Sequence, residues 1–168
     1  MLPRKLQGDL FKYYPNMKIA VIPARGGSKR IPQKNIKIFC GKPIIAWSIE
    51  AAKQSKCFDR VIVSTDDERI ASIARQYGAE VPFIRPSKLS DDYTETSAVV
   101  SHAIEKLKEL KKPIDLVCCI YATAPFIRPN DLKDSLVKLQ KLQSVDYCFS
   151  VTNYSFPIQR SIRITKDD

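Results

Sequence analysis

The 168-residue sequence lacks several features that would define its class at once. No apolar run approaches the roughly 20 residues that a membrane-spanning helix needs. The basic N-terminus is followed by no hydrophobic segment of the kind that directs secretion, so a cytoplasmic protein is expected. The five cysteines include no C-x-x-C pair, and we expect them to be reduced, mostly buried thiols without a metal or redox role.

Two familiar nucleotide-binding motifs are also missing. The chain contains no G-x-G-x-x-G, which excludes the dinucleotide fingerprint. Gly41 and Lys42 are followed by Pro43 rather than by Ser or Thr, which excludes a P-loop. The single histidine, His102, lies near the apolar side of a predicted helix, where we expect a partly buried structural role.

The sequence does contain an uneven positive charge. The formal net charge is +10, and residues 1–40 hold nine Lys or Arg and a single acid, whereas the remaining residues are nearly balanced. A local excess of cations indicates an anionic partner, either a nucleoside triphosphate or a nucleic acid. No recognition-helix or RNA-binding signature accompanies the charge, so we expect neither a nucleic acid nor a membrane as partner.

Apolar runs and helical patterns alternate along the chain from Met17 onward. This alternation predicts an α/β fold, with a mostly parallel sheet and helices on both of its faces. Ligands of such sheets bind beyond the carboxyl ends of the strands, so the loops after Ile22, Ser64, Ile84 and Tyr121 should line one site. The predicted strands are Ile19–Ile22, Val61–Val63, Val81–Ile84, Leu116–Tyr121 and Tyr147–Val151, and the predicted helices start at Pro43, at a cap on Thr65 or Asp66, at Thr94 and at Asn130. Trp47 lies on the apolar side of the first helix and is expected in the core. The residues of the third helix expected to face inward are Val99, Ala103, Leu107 and Leu110.

The chain is expected to comprise two parts. Residues 1–16 have no clear period and are predicted to be a poorly ordered N-terminal extension. Residues 17–168 are predicted to form one domain, because their length and apolar content suit a single core.

The segment Ile22-Pro-Ala-Arg-Gly-Gly-Ser-Lys-Arg-Ile-Pro-Gln-Lys-Asn35 follows the first strand and concentrates the chemistry. Gly26 and Gly27 let the backbone approach a ligand closely and present its N–H groups. Four cations within ten residues can neutralise a triphosphate and offset charge on phosphoryl oxygens during attack at phosphorus. The alternative is a solvated basic loop, but the position at the binding edge of the sheet favours phosphate.

This segment resembles the signature of the CMP-sialic acid synthetase family, a branch of the nucleotide-diphospho-sugar transferase (Rossmann-like) fold. The resemblance extends over about residues 17–160. It implies a cytidylyltransferase that activates a nonulosonic acid with CTP and releases pyrophosphate, with Mg²⁺ as the accompanying ion. Further agreement is found at Gly41–Pro43, Phe58–Asp66, Gly78–Pro82 and Arg85–Asp92.

The resemblance also implies roles for individual residues. Arg25, Lys29 and Lys34 are expected to act catalytically, because they match cations of the signature that contact CTP and its phosphates. Arg85 and Thr96 match residues near the cytosine. The residues expected to bind the nucleotide are Ala24, Arg25, Gly26, Gly27, Ser28, Lys29, Lys34, Asn35, Arg85 and Thr96.

Several polar residues have a structural alternative. Asn35 could serve only as a turn residue, and Arg85 only as a surface ion-pair partner. Asp66 is expected to cap the helix that follows it rather than to bind a ligand. Asp91 and Asp92 are expected to shape a loop and cap the next helix rather than to hold a metal.

The chain departs from sialic acid synthetases at the end of the fourth predicted strand. Their typical Gln-Pro-Thr-Ser-Pro-Leu-Arg is replaced by Tyr121-Ala-Thr-Ala-Pro-Phe-Ile-Arg128. An amide reads hydrogen-bonding edges, whereas a phenol stacks and donates once, so Tyr121 and Thr123 are expected in the substrate pocket. This form resembles the pseudaminic acid cytidylyltransferases, which serve bacterial surface and flagellar glycosylation.

The sequence ends at Asp168, before a further strand, a dimerisation element and an Asp-x-Asp segment that holds Mg²⁺ in the family. We therefore expect a cytidylyltransferase domain without its C-terminal segment and without a metal ligand of its own. The element through which the family usually forms homodimers is expected to be missing as well. The alternative to an enzyme is a truncated, non-catalytic nucleotide-binding protein, and little or no turnover is expected from these residues alone.

Overall fold

The computed structural model describes residues 17–108, 113–142 and 144–153. The predicted extension 1–16, the predicted inward-facing Leu110 and the chain end at 154–168 lie outside the described residues. The chain separates into two compact units, Met1–Asp134 and Ser135–Asp168. In the described part of the chain, no helix is long and apolar enough to cross a membrane.

The first unit alternates strands and helices as the sequence predicts. Short 3-10 turns lie at Lys34–Ile36 and Ser87–Leu89. The elements in chain order are β1 (Met17–Pro23), β2 (Ile38–Phe39), β3 (Lys42–Pro43), α1 (Ile44–Ser55), β4 (Arg60–Ser64), α2 (Glu68–Gln76), α3 (Thr96–Lys108), β5 (Ile114–Cys119) and α4 (Pro129–Lys141).

Three strands form a parallel sheet in the order β4–β1–β5. The central strand is β1, in which Ile19 is aligned with Arg60 on one side and with Val117 on the other. Because the strands are parallel, their carboxyl ends lie at the same edge of the sheet. The chain after Pro23 and after Ser64 therefore emerges at one place, which is where ligands of such sheets bind.

Helices cover both faces of this sheet, as predicted. Successive residues of a strand point to opposite faces. Ala20 and Ile22 of β1 pack into a core with residues of α1 and α2, whereas Ile19 and Val21 pack into a second core with Leu107 of α3. Burial of these aliphatic side chains on both faces explains why the central strand is almost uninterrupted in its apolar character.

The predicted third strand, Val81–Ile84, is reduced to isolated parallel bridges near its two ends. Pro82 lies in the middle of this segment and has no N–H to donate, so the ladder cannot continue through it. The N–H of Arg85 nevertheless donates to the carbonyl of Thr65 at 2.7 Å. This bond holds Arg85 at the carboxyl end of β4.

One sequence prediction for the second unit is wrong. The predicted fifth strand, Tyr147–Val151, does not form, and Tyr147, Phe149 and Val151 are all exposed. The alternation of apolar and polar residues has the period of a strand. A strand is stable, however, only beside a partner strand and over a core, and within residues 144–153 no strand pairing is present.

Two further packing predictions are only partly correct. Trp47 is half-buried rather than a core residue, because its indole N–H donates to the Phe39 carbonyl at 3.0 Å and the Lys42 ammonium lies 3.7 Å from the ring centroid. The five cysteines, all within the described residues, form no disulfide, but the prediction that they are mostly buried is wrong: Cys57 and Cys118 are half-buried, and Cys40, Cys119 and Cys148 are exposed.

Helix α3 buries a stripe that the sequence correctly identifies. Val99, Ala103 and Leu107 are buried. His102 lies beside this stripe, half-buried, with its ring edge-on to Phe83 at a centroid distance of 5.2 Å. Desolvation lowers the pKa of His102, which fits a neutral structural residue.

Ile19→Ala tests the two-faced core. Ile19 is fully buried, and its truncation is expected to lower the free energy of unfolding by about 2–5 kcal/mol, measured by urea denaturation. Ile38→Ala is the matched control, because Ile38 is 66% exposed and its truncation should cost within about 0.5 kcal/mol. Equal losses in the two variants would contradict the placement of β1.

Candidate functional site

A cavity of about 220 Å³ opens at the carboxyl edge of the sheet. An adjoining cavity of about 330 Å³ shares Arg25, Ser28, Lys34 and Asp92 with it, so the two form one cleft. Most of the residues predicted from the sequence are brought together here. Those that line the cleft are Arg25, Ser28, Lys29, Lys34, Asn35, Arg85, Thr96, Tyr121 and Thr123.

The remaining three predicted residues, Ala24, Gly26 and Gly27, do not line the cleft. Ala24 is buried, and its N–H donates to the Ser64 carbonyl at 2.9 Å. The N–H of Gly26 donates to the Asp66 carboxylate at 2.9 Å, contrary to the expectation that it faces a ligand. These bonds fasten the loop after β1 to the end of β4.

Gly26 is required at its position by space. A Cβ there would lie 2.8 Å from Oδ2 of Asp67 and 2.9 Å from its Cβ, closer than such atoms approach. The Asp67 side chain cannot easily withdraw, because it caps α2 by accepting the N–H groups of Arg69 and Ile70. The loop can therefore pass this close to β4 only with glycine.

Asp66 does not cap the following helix, contrary to the prediction, because the adjacent Asp67 occupies that position. Oδ1 of Asp66 accepts the Gly26 N–H and lies 3.6 Å from a guanidinium nitrogen of Arg85. Asp66 thus contacts both the loop after β1 and the segment after Pro82.

Arg85 is a buried cation rather than a surface ion-pair partner. Its side chain is 3% exposed, and its Nε donates to the Ser90 hydroxyl at 3.0 Å. Burial lowers the pKa of Arg85, the neighbouring Arg25 lowers it further, and Asp66 opposes both effects. Guanidinium groups nevertheless stay charged in proteins, so a fixed positive charge lines the cavity.

Asp92 holds two of the predicted catalytic cations. Its carboxylate oxygens lie 2.6 Å from Nη2 of Arg25 and 2.6 Å from Nζ of Lys29. The hydrogen bonds from Lys29 and Arg25 lower the pKa of Asp92, so both pairs persist at neutral pH. A carboxylate therefore lies where these cations would meet a phosphate.

Asp92 is a site residue that sequence reasoning missed. It was expected only to shape a loop and cap a helix, yet α3 begins at Thr96, beyond the reach of a cap from Asp92. The available signal was its place in a loop at the ligand-binding edge of the sheet, where a lone carboxylate faces a cluster of cations. Asp91 does shape the loop as predicted, since it accepts the N–H groups of Tyr93 and Thr94.

Asn35 supports the cationic loop through a side-chain hydrogen bond. It is 6% exposed, and its side-chain amide donates to the Arg25 carbonyl at 2.9 Å. The N–H of Ser28 donates to the Gly26 carbonyl at 2.9 Å, which closes a tight turn in the loop. Asn35 is therefore more than a turn residue, because its buried amide holds the backbone of the loop at Arg25.

Tyr121 lines the 220 Å³ cavity beside Thr96. Its hydroxyl lies 3.5 Å from Oγ1 of Thr96, and its side chain is largely exposed. The Tyr121 carbonyl accepts the Ser48 hydroxyl at 2.8 Å, which ties this segment to α1. The ring therefore lies in the wall of the cavity and outside the core, at the edge where the sequence placed it.

The chain belongs to the cytidylyltransferase family, whose model matches residues 19–160. The strand order and the flanking helices are those of the nucleotide-diphospho-sugar transferase-like fold found in solved cytidylyltransferase structures.

Three individual proteins resemble this chain at different levels of identity and coverage. The chain is 47% identical over 150 residues to a pseudaminic acid cytidylyltransferase of Campylobacter jejuni, covering 89% of this chain and 64% of that protein. It is 41% identical over 118 residues to a CMP-N,N′-diacetyllegionaminic acid synthase of Legionella pneumophila, covering 70% and 51%. The solved structure of a CMP:2-keto-3-deoxy-manno-octonic acid synthetase complexed with CTP aligns with a TM-score of 0.65 at 25% identity, covering 77% and 50%. The chain thus spans between half and two thirds of the length of these proteins.

Gly26→Ala tests the close approach of the loop to β4. The added Cβ should push the loop away from Asp66 and weaken the binding of inorganic triphosphate about tenfold, or ~1.4 kcal/mol, measured by calorimetry. Gly27→Ala is the control, since a Cβ at Gly27 meets nothing within 4 Å. Equal affinities of the two variants would show that the contact with Asp66 does not set the geometry of the loop.

Proposed function

We propose that this chain transfers a cytidylyl group from CTP to a nonulosonic acid, giving a CMP-sugar and pyrophosphate. One observation supports this most strongly: a single cleft joins the buried Arg85 to the cationic residues Arg25, Lys29 and Lys34. Membership of the cytidylyltransferase family supplies the class of nucleotide.

The polarity of the cleft suggests how CTP lies in it. One end of the cavity, at the start of α3, is lined by Arg85, Thr96 and Tyr121. The guanidinium group and the two hydroxyls offer hydrogen bonds to the edge of a base. The other end is lined by Arg25 and Lys29, whose charges suit phosphates. The cytosine is therefore assigned to the first end and the triphosphate to the second.

The reaction is an in-line displacement at the α-phosphorus. The anomeric hydroxyl of the sugar forms a new bond to the α-phosphorus and gives its proton to water, while the bond from the α-phosphorus to the α,β-bridging oxygen breaks and pyrophosphate leaves. Arg25, Lys29 and Lys34 offset the negative charge of the leaving group. The reaction requires positioning and charge rather than a covalent intermediate, so no nucleophilic Ser or Cys is assigned to it.

Mg²⁺ enters this account as part of the CTP substrate. Among the described residues, no group of three or more His, Cys, Asp or Glu side chains is placed to hold a metal ion. The carboxylates nearest the loop are Asp66 and Asp92, and each already pairs with cationic side chains. In the described part of the chain both of these carboxylates are engaged by cations, and the roles assigned above involve no metal ion.

The sugar is proposed to be of the pseudaminic acid type. Support comes from the 47% identity to the Campylobacter protein and from the sequence Tyr121-Ala-Thr-Ala-Pro-Phe126 at the edge of the cavity. Both Tyr121 and Thr123 line the cavity. Thr123 is assigned to the sugar-facing wall, and Tyr121, whose hydroxyl lies at the base end beside Thr96, is assigned to the boundary between base and sugar. The product would then be the sugar donor for bacterial surface or flagellar glycosylation.

Nucleotide preference tests the assignment of the base. Calorimetric titration with Mg²⁺ should show CTP binding at least about tenfold more tightly than ATP, because the cavity beside Arg85 is small and polar. Equal affinities, or no binding of either nucleotide, would exclude the proposal. Release of pyrophosphate with pseudaminic acid, compared with sialic acid, then separates an enzyme from a non-catalytic nucleotide-binding protein, which would bind CTP without turnover.

Lys29→Ala tests the assignment of the phosphates. A charge-assisted hydrogen bond contributes about 1.5–3 kcal/mol, and exposure of this side chain places the expected loss of CTP affinity near the lower value, or about tenfold. CMP affinity should change by less than about threefold, because CMP carries no β- or γ-phosphate. Lys37→Ala is the control, since it removes the same charge from a residue outside the cleft. A similar loss for CMP and CTP would place Lys29 at the wrong end of the nucleotide.

A further inference from the structure

Asp66 lies between two parts of the cleft that are distant in the sequence. One carboxylate oxygen accepts the Gly26 N–H at 2.9 Å and lies 3.6 Å from a guanidinium nitrogen of Arg85. The Asp66 side chain is 25% exposed, and that of Arg85 is 3% exposed. The carboxylate therefore contacts the proposed phosphate end through Gly26 and the proposed base end through Arg85.

The negative charge of Asp66 matters because Arg85 is repelled by the charge of Arg25. Arg85 and Arg25 are both cations, and each disfavours the charge of the other across the cavity. Asp66 favours the charged form of Arg85 and so opposes this repulsion and the cost of burial. Without the carboxylate, a buried guanidinium would face a second cation and would be driven from its place in the cavity wall.

Backbone hydrogen bonds also place Asp66 where the two parts of the cleft meet. Ala24 donates to the Ser64 carbonyl, and Gly26 donates to Asp66, so the loop after β1 is held at two successive points along the end of β4. The N–H of Arg85 donates to Thr65, which lies between those two points. The end of β4 is therefore where the two parts of the cleft are joined.

We propose that Asp66 is a positioning residue that couples recognition of the base by Arg85 to recognition of the phosphates by the loop at Gly26. The proposal rests on the proposed function, because the two ends are those assigned to CTP. Asp66 acts through its two partners. Removing its charge should therefore disturb the base end, and removing its hydrogen-bond acceptor should also disturb the phosphate end.

Two variants separate these effects. Asp66→Asn keeps an oxygen that can accept the Gly26 N–H but removes the charge that faces Arg85, whereas Asp66→Ala removes both. The expected result for Asp66→Asn is a fall of about tenfold in the preference for CTP over ATP, with the preference for CTP over CMP nearly unchanged. For Asp66→Ala, both preferences should fall, each by about tenfold.

Asp67→Asn is the matched control. It removes the same charge one residue away and keeps the cap of α2, because asparagine is as good a cap as aspartate. Both preferences should remain at the wild-type values in this variant. If Asp66 served only stability, the melting temperature would fall while both affinity ratios stayed constant, and that outcome would overturn the proposal.

Amide hydrogen exchange at Gly26 gives a readout that does not depend on a nucleotide. The exchange rate should rise at least about tenfold in Asp66→Ala and change little in Asp66→Asn. An unchanged rate in Asp66→Ala would overturn the link to the loop. A wild-type protein that fails to bind CTP but shows the expected exchange pattern would contradict the proposed function and leave the contact between Asp66 and Gly26 established.

Discussion

Mutual repulsion among cations is the constraint on which this site depends. Arg25, Lys29 and Arg85 all line one cleft, and their charges would separate them if nothing held them together. Two carboxylates oppose the repulsion: Asp92 contacts Arg25 and Lys29, and Asp66 contacts Arg85. The parallel sheet makes this possible, because it brings the loops that carry these residues to the same edge.

The same constraint shapes the energetics of binding. In the proposed function, a triphosphate would meet cations that are already paired with Asp92, so its binding free energy would be the difference between new phosphate contacts and lost carboxylate contacts. Lys29 is 83% exposed and can move readily between partners, whereas Arg25 is held more firmly by Asp92 and by the Asp91 carbonyl. Arg25 is therefore more fixed in position than Lys29 before a ligand binds.

The sequence predicted the α/β class, the helices on both faces and many of the residues that line the cleft. Alternating apolar patterns indicate the first two, and the loop from Arg25 to Asn35 supplies part of the third. Ala24, Gly26 and Gly27 were also predicted but do not line the cleft, and Asp92 lines it without having been predicted. The predicted cap of α2 on Thr65 or Asp66 was wrong, because the adjacent Asp67 is an equally suitable cap and only the tertiary contact of Asp66 with Gly26 separates the two aspartates. The strand predicted at 147–151 failed for a related reason, since a period of two does not supply a partner strand.

The orientation of the nucleotide is the central claim, and amide resonances recorded with its two halves test it most directly. Cytidine should shift resonances of Thr96 and Tyr121 and leave those of residues 26–29 unchanged. Pyrophosphate should shift residues 26–29 and leave Thr96 and Tyr121 unchanged. A reversed pattern, or the same set of residues responding to both halves, would contradict the account.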